Sequence, residues 1–255
     1  MWIRLSILLL AGLVADAQIP SPDQRTRQIE ADLGARLADE VGQPGELFGS
    51  EAALSYAEQI GGRLAVYLPE GAPGYTFEVI VEPGGSLHEP IALPGGYVFI
   101  RAGLFLEAQN ASEFAGMLAH SMAHASTLEG TRLLGSGQVI NRATIVFGEH
   151  TMTPLGMRPF MQRYELRADQ IAVRTLSQAG YDPAALARYV DRMQTDNVPL
   201  EFSSLPPRDE RLTALRQAIA DLPPGNYTTD TGEFDAIRDE VRTFMERLHS
   251  APSLR

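Results

Sequence analysis

The stretch LAHSMAHAS, residues 118–126, sets His120 and His124 four positions apart. On an α-helix that spacing puts both imidazoles on one face, about one turn from each other. Two neutral imidazoles so placed can share one zinc ion. A bare pair is weak on its own, because histidines four apart also occur as polar residues turned to solvent. Downstream, RYELRADQ, residues 163–170, brings Glu165 and Asp169 to one face of a second helix. Glu165 would complete a two-histidine, one-carboxylate site with an open fourth position, and Asp169 would orient a ligand imidazole from behind. The plain reading of the same two carboxylates is a solvated acidic face balanced by Arg163 and Arg167.

Working outward, the chain reads as mainly helical with one small strand region. Ile29, Leu33, Leu37 and Val41 recur every four residues and predict an amphipathic helix over 23–41. A second helix is expected over 51–64, interrupted by Gly61-Gly62. Residues 75–81 and 97–100 are rich in β-branched and aromatic side chains and read as short strands that pair in a small sheet. Asn110 and Ser112 offer caps for the helix through residues 113–126. Residues 129–157 carry scattered glycines without a sustained period and read as a loop. Further helices are expected over 158–178, ending at Gly180, from Asp182 onward, over 208–222 and over 233–248.

The chain has 255 residues, 44% hydrophobic and 21% charged, with 23 Gly, 17 Pro and no Cys, which excludes collagen-like, disulfide-scaffold and disordered classes. Its 21 Lys plus Arg against 32 Asp plus Glu give a formal charge of -11, a field that repels nucleic acid. Met1 to Arg4, the apolar run Leu5 to Val14 and Ala15-Asp16-Ala17 have the layout of a secretory signal peptide over residues 1–17. Ten apolar residues fall short of the roughly twenty that a membrane-spanning helix needs, and no later segment is apolar enough to span. The expectation is one exported domain over 18–255, periplasmic or secreted, which gains no disulfide support there.

Three blocks, PGGYVFIRAGLFLEAQNASEFAGMLAHSMAHA, YELRADQIAVRTLSQAGYDPAA and SSLPPRDERL, stand in an order and spacing that resemble the zinc metallopeptidases that include HtpX, BepA and the CAAX prenyl proteases. The resemblance covers roughly residues 30–220 and implies an α+β, mainly helical, zincin-like domain with a small β-sheet beside the metal-binding helices. By position it implies that His120, His124 and Glu165 are zinc ligands and that Asp169 is the carboxylate behind them. It also implies peptide-bond hydrolysis and peptide or unfolded-protein partners.

The pattern breaks where catalysis needs it. The HExxH motif of the family carries a Glu after the first His as general base, and here Ser121 stands in that place. A serine hydroxyl is no base at neutral pH, and losing a general base costs about 100-fold to 10,000-fold in rate. Leu205 stands where the resemblance implies a His that stabilises the oxyanion. As substitute bases Glu113, Glu129 and Asp169 stay open, each more simply read as a surface carboxylate. In HEPIALPGG, residues 88–96, His88, Glu89 and Pro90 depart from the usual Asn-Ala of a peptide-pairing edge strand, and Pro90 withholds a ladder donor. His150 and His249 read as ordinary surface histidines.

Three functions follow: a zinc-binding pseudopeptidase, weak or inactive; an active metalloendopeptidase degrading misfolded envelope proteins; and a peptide-binding module without metal.

Overall fold

The computed structural model describes residues 22–41, 48–69, 72–81, 88–127, 158–195, 205–227 and 232–250. The expected signal peptide, the loop over 129–157, Glu129 and His150 lie outside the described residues.

The elements are α1 (Pro22–Val41), α2 (Glu51–Ala65), β1 (Thr76–Ile80), β2 (Ile91–Ala92), β3 (Tyr97–Arg101), α3 (Ala102–Glu107) and α4 (Ala111–Ser126). They continue with α5 (Arg158–Ala179), α6 (Ala184–Met193), α7 (Arg208–Ala220) and α8 (Glu233–Ser250). The three strands form a mixed sheet in the order β1-β3-β2, with β1 parallel and β2 antiparallel to β3. The described residues are therefore mainly helical with one small sheet.

Side-chain alternation lets that sheet separate two apolar layers. Phe77, Val79, Val98 and Ile100 face the main core, which holds α2, α4, α5, α6 and α7. Ile80, Ile91, Leu93 and Phe99 face the other way, onto Leu33, Leu37 and Val41 of α1. The expected stripe on α1 is corrected at its first member. Ile29 is 51% exposed while Glu30 is buried, so the face that meets the sheet is rotated by about one residue there. Gly34 sets how close α1 can come, since a Cβ there would lie 1.7 Å from the carbonyl oxygen of Pro94.

Two expectations changed against tertiary packing. Gly61-Gly62 does not interrupt α2, because the Phe77 ring packs onto Gly61 where a Cβ would stand 2.2 Å from it. Helix α3 and strand β2 went unpredicted, being short pieces whose periodicity is too brief to register. The turn after α5 follows the sequence: Gly180 takes φ +81 and Asp182 Oδ1 accepts from the N–H of Ala184 at the start of α6.

Candidate metal centre

Helix α4 carries the first two donors through the core. Asn110 starts it, its Oδ1 accepting from the N–H of Glu113 at 3.0 Å, and the Glu113 carboxylate accepts in return from the N–H of Gln109 at 2.9 Å. Arg192 pairs with the same carboxylate at 2.6 Å. Glu113 is thus buried and engaged at the helix start, about two turns from His120. This corrects its reading as a surface group and leaves it no path to act at the histidines.

His120 is fully buried and His124 largely so, with their Nε2 atoms 3.1 Å apart. Helix α5 packs beside them and points Glu165 at both, Oε2 lying 3.3 Å from His120 Nε2 and Oε1 3.6 Å from His124 Nε2. One turn further along, Asp169 Oδ1 lies 2.8 Å from His120 Nδ1. Asp169 is buried rather than part of a solvated acidic face. The structure therefore gathers His120, His124, Glu165 and Asp169 in one place.

Two residues at this centre were not assigned a role from the sequence. Arg211, at the end of SSLPPRDER, is fully buried on α7 and holds the Asp169 carboxylate with two hydrogen bonds of 2.8 and 2.9 Å. It also donates to Gln194 Oε1 at 3.2 Å. Glu89, just ahead of β2, reaches in from the sheet side, its Oε1 3.1 Å from His120 Nε2 and 3.8 Å from His124 Nε2. The signal for Glu89 was present as an acidic residue where a peptide-pairing strand would carry an amide.

These charges set one another's protonation. Burial pushes the His120 imidazole toward its neutral form, but Glu89 and Asp169 outweigh it and hold the pKa well above the ordinary value in the absence of metal. Burial likewise raises the Glu89 carboxyl, and the two imidazoles with Arg211 overcome it and bring it down to about 2. Asp169 is held far below the usual carboxylate range by Arg211 and His120, against the same burial effect.

The donors fit a metal ion. One atom from each of Glu89, His120, His124 and Glu165 lies within 4.8 Å of the others, a mixed nitrogen and oxygen set of the kind zinc takes. Glu165 Oε2 is buried 3.3 Å from His120 Nε2 without a well-formed hydrogen bond, a place where a carboxylate oxygen gains from a shared cation.

The positions that depart from the sequence pattern are engaged elsewhere. Ser121 is fully buried and its hydroxyl donates to the carbonyl of Met117 at 3.1 Å, one turn back along α4. Leu205 packs against the main core, and its carbonyl accepts from Gln162 Nε2 at 3.2 Å. Neither side chain offers a base.

The sequence is also similar to known proteins. The chain is 24% identical over 197 residues to a protein of Vibrio cholerae serotype O1 provisionally named a beta-barrel assembly-enhancing protease, covering 66% of this chain and 40% of that one. It is 26% identical over 133 residues to the beta-barrel assembly-enhancing protease of Escherichia coli K12, covering 44% of this chain and 27% of that one. The Yersinia pestis protein of that name is 25% identical over 158 residues, 51% of this chain and 32% of its own. The chain thus spans less than half the length of these relatives. Residues 91–219 match the profile described as Peptidase family M48, a zinc-dependent family, and with these donors on its two central helices the chain belongs to that family.

Proposed function

We propose that this protein is an exported zinc-binding member of the family in which peptide-bond hydrolysis is weak or lost, while a surface for peptide or unfolded-protein partners is kept. His120, His124 and Glu165 would hold the ion, and Asp169 with Arg211 behind it would fix the His120 ring and its tautomer. When bound, zinc supplies Lewis acidity that polarises a carbonyl and lowers the pKa of water. The chain's own part in a hydrolysis would be to move the proton from water to the leaving amine. The observation that carries the reading is Ser121, whose hydroxyl is buried and given to the Met117 carbonyl at the place where that proton carrier should stand.

Export is supported by the apolar run Leu5 to Val14 ahead of Ala15-Asp16-Ala17, and a protein or peptide partner by the family. Among the described residues no helix is long and apolar enough to cross a membrane. A reading without metal has against it the convergence of the donor set. The reading as a working endopeptidase is favoured by one observation, the Glu89 carboxylate beside both imidazoles.

Metal analysis and a proteolysis assay on residues 18–255 test the proposal. About one zinc per chain is expected, lost in His120→Ala and in Glu165→Ala, and a folded protein that takes no zinc would sink the ligand assignment. On casein, the wild type should show little cleavage, and Ser121→Glu should raise chelator-sensitive cleavage only where the ion keeps an open position for water, within the limit set by Leu205. Vigorous chelator-sensitive cleavage by the wild type would overturn the pseudopeptidase reading.

A further inference from the structure

The place of Glu89 suits a ligand better than a base. Four donors around a zinc ion at about 2.0–2.1 Å lie about 3.3–3.4 Å from one another along the edges of the tetrahedron. The two imidazole nitrogens are 3.1 Å apart, the Glu165 oxygens stand 3.3 and 3.6 Å from them, and Glu89 Oε1 stands 3.1 and 3.8 Å from them. A single Glu89 oxygen therefore meets both histidines at spacings close to those of the two Glu165 oxygens, and one atom from each of the four residues lies within 4.8 Å of the others. A base that works through an intervening water would stand further back.

We propose that Glu89 is a fourth protein ligand, so that His120, His124, Glu165 and Glu89 form a closed set around the ion. This rests on the zinc reading above and changes its meaning: zinc sites with three protein ligands keep a position for chemistry, whereas closed sites serve structure.

The backbone around Glu89 is built to hold it there. His88 takes φ +46, a left-handed conformation that a non-glycine residue keeps only where its surroundings enforce it. Its ring lies over Gly103, where a Cβ would be 2.2 Å from the ring, so the glycine makes the room. Arg101 Nε donates to the Glu89 carbonyl at 2.9 Å, and two residues on, Ile91 enters the ladder with β3. Glu89 is thus presented by anchored chain on both sides.

Charge points the same way. With neutral imidazoles, Glu89, Glu165 and Asp169 against Arg211 leave two negative charges in a largely buried cluster. Zinc carries two positive ones, so the closed set is neutral, and removing Glu89 leaves a net cation where burial penalises charge.

The test uses the full chain loaded with zinc or with cobalt, comparing wild type, Glu89→Ala, Glu89→Gln and His120→Ala. Chelator competition should show zinc bound at least tenfold more weakly in Glu89→Ala than in wild type, with Glu89→Gln between them. The visible spectrum of the cobalt form should ignore acetohydroxamate in the wild type and shift with it in Glu89→Ala, where a position has opened. Equal zinc affinity in wild type and Glu89→Ala, or a wild-type cobalt spectrum that shifts with acetohydroxamate, overturns the fourth ligand while leaving the zinc reading intact. Loss of casein cleavage in Glu89→Gln at unchanged zinc affinity would make Glu89 a base and overturns it too. A folded wild type that binds no metal, indistinguishable from His120→Ala, overturns the zinc reading itself. The wild-type cobalt experiment decides closure even if the variants fail to fold.

Discussion

At the residue scale, the centre is a chain of held groups that ends on Arg211. The guanidinium grips Asp169 through two parallel hydrogen bonds, Asp169 grips His120 Nδ1, and His120 Nε2 faces the other donors. The fork geometry of arginine suits this, and a lysine in its place would act only as a point charge. Arg211→Met leaves the fully buried Asp169 carboxylate with His120 but without its two guanidinium hydrogen bonds, so the metal-free protein should lose about 1–3 kcal/mol in urea denaturation. Its zinc affinity should fall about 10–100-fold, because the His120 ring loses its orientation. Arg211→Lys should recover only part of either quantity, and full recovery would show that charge alone suffices. His120, His124 and Glu165 were legible because a helix repeat fixes their direction within a few residues of sequence. Arg211 and Glu89 were not, because each reaches the centre only through tertiary contacts with distant elements, and local spacing carries no trace of those.

At the element scale, the long helices were legible and the short pieces were not, for a common physical cause. Helices α4 and α6 start at side-chain caps, Asn110 and Asp182, that are written in the local sequence. Helix α3 has six residues and no side-chain cap, and it is held instead by Leu104 and Phe105, both fully buried in the main core. Nothing local announces such a helix, since an isolated one of that length is unstable in water. The packing of α1 shows the reverse dependence, of an element on one missing side chain. Gly34→Ala would drive a methyl into the Pro94 carbonyl of the PGG turn that leads into β3. The neighbour is backbone and cannot swing away, so a loss of about 1–3 kcal/mol is expected. Hydrogen exchange should report it as faster opening of residues 22–41, with α4 and α5 keeping their protection. Unchanged exchange in α1 would mean that the helix sits further from the turn than the contact with Pro94 implies.

For the whole molecule, the donors come from three separate parts of the chain: the segment before β2, helix α4 and helix α5. An ion held by all of them would tie the sheet to the helical layer, a cross-link in a chain that has no cysteine to supply one. Anything that binds the folded state alone stabilises it by mass action, by about 2.7 kcal/mol when free zinc is 100 times its dissociation constant. For a domain of this size each kcal/mol moves the midpoint by about 2–4 °C. Zinc-loaded protein should therefore melt about 5–10 °C above the chelated form, and the midpoint should climb with the logarithm of free zinc. The location of the change separates a clamp from a passive site. Chelation should raise hydrogen exchange in residues 88–92 and in the facing turns of α4 and α5, and leave α8, which carries none of the donors, unchanged. Glu89→Ala should reproduce the exchange at residues 88–92 even with zinc present, because the sheet would then be released while the helices stay joined. If chelation loosens only the helices, the ion joins α4 to α5 and Glu89 contributes no bond.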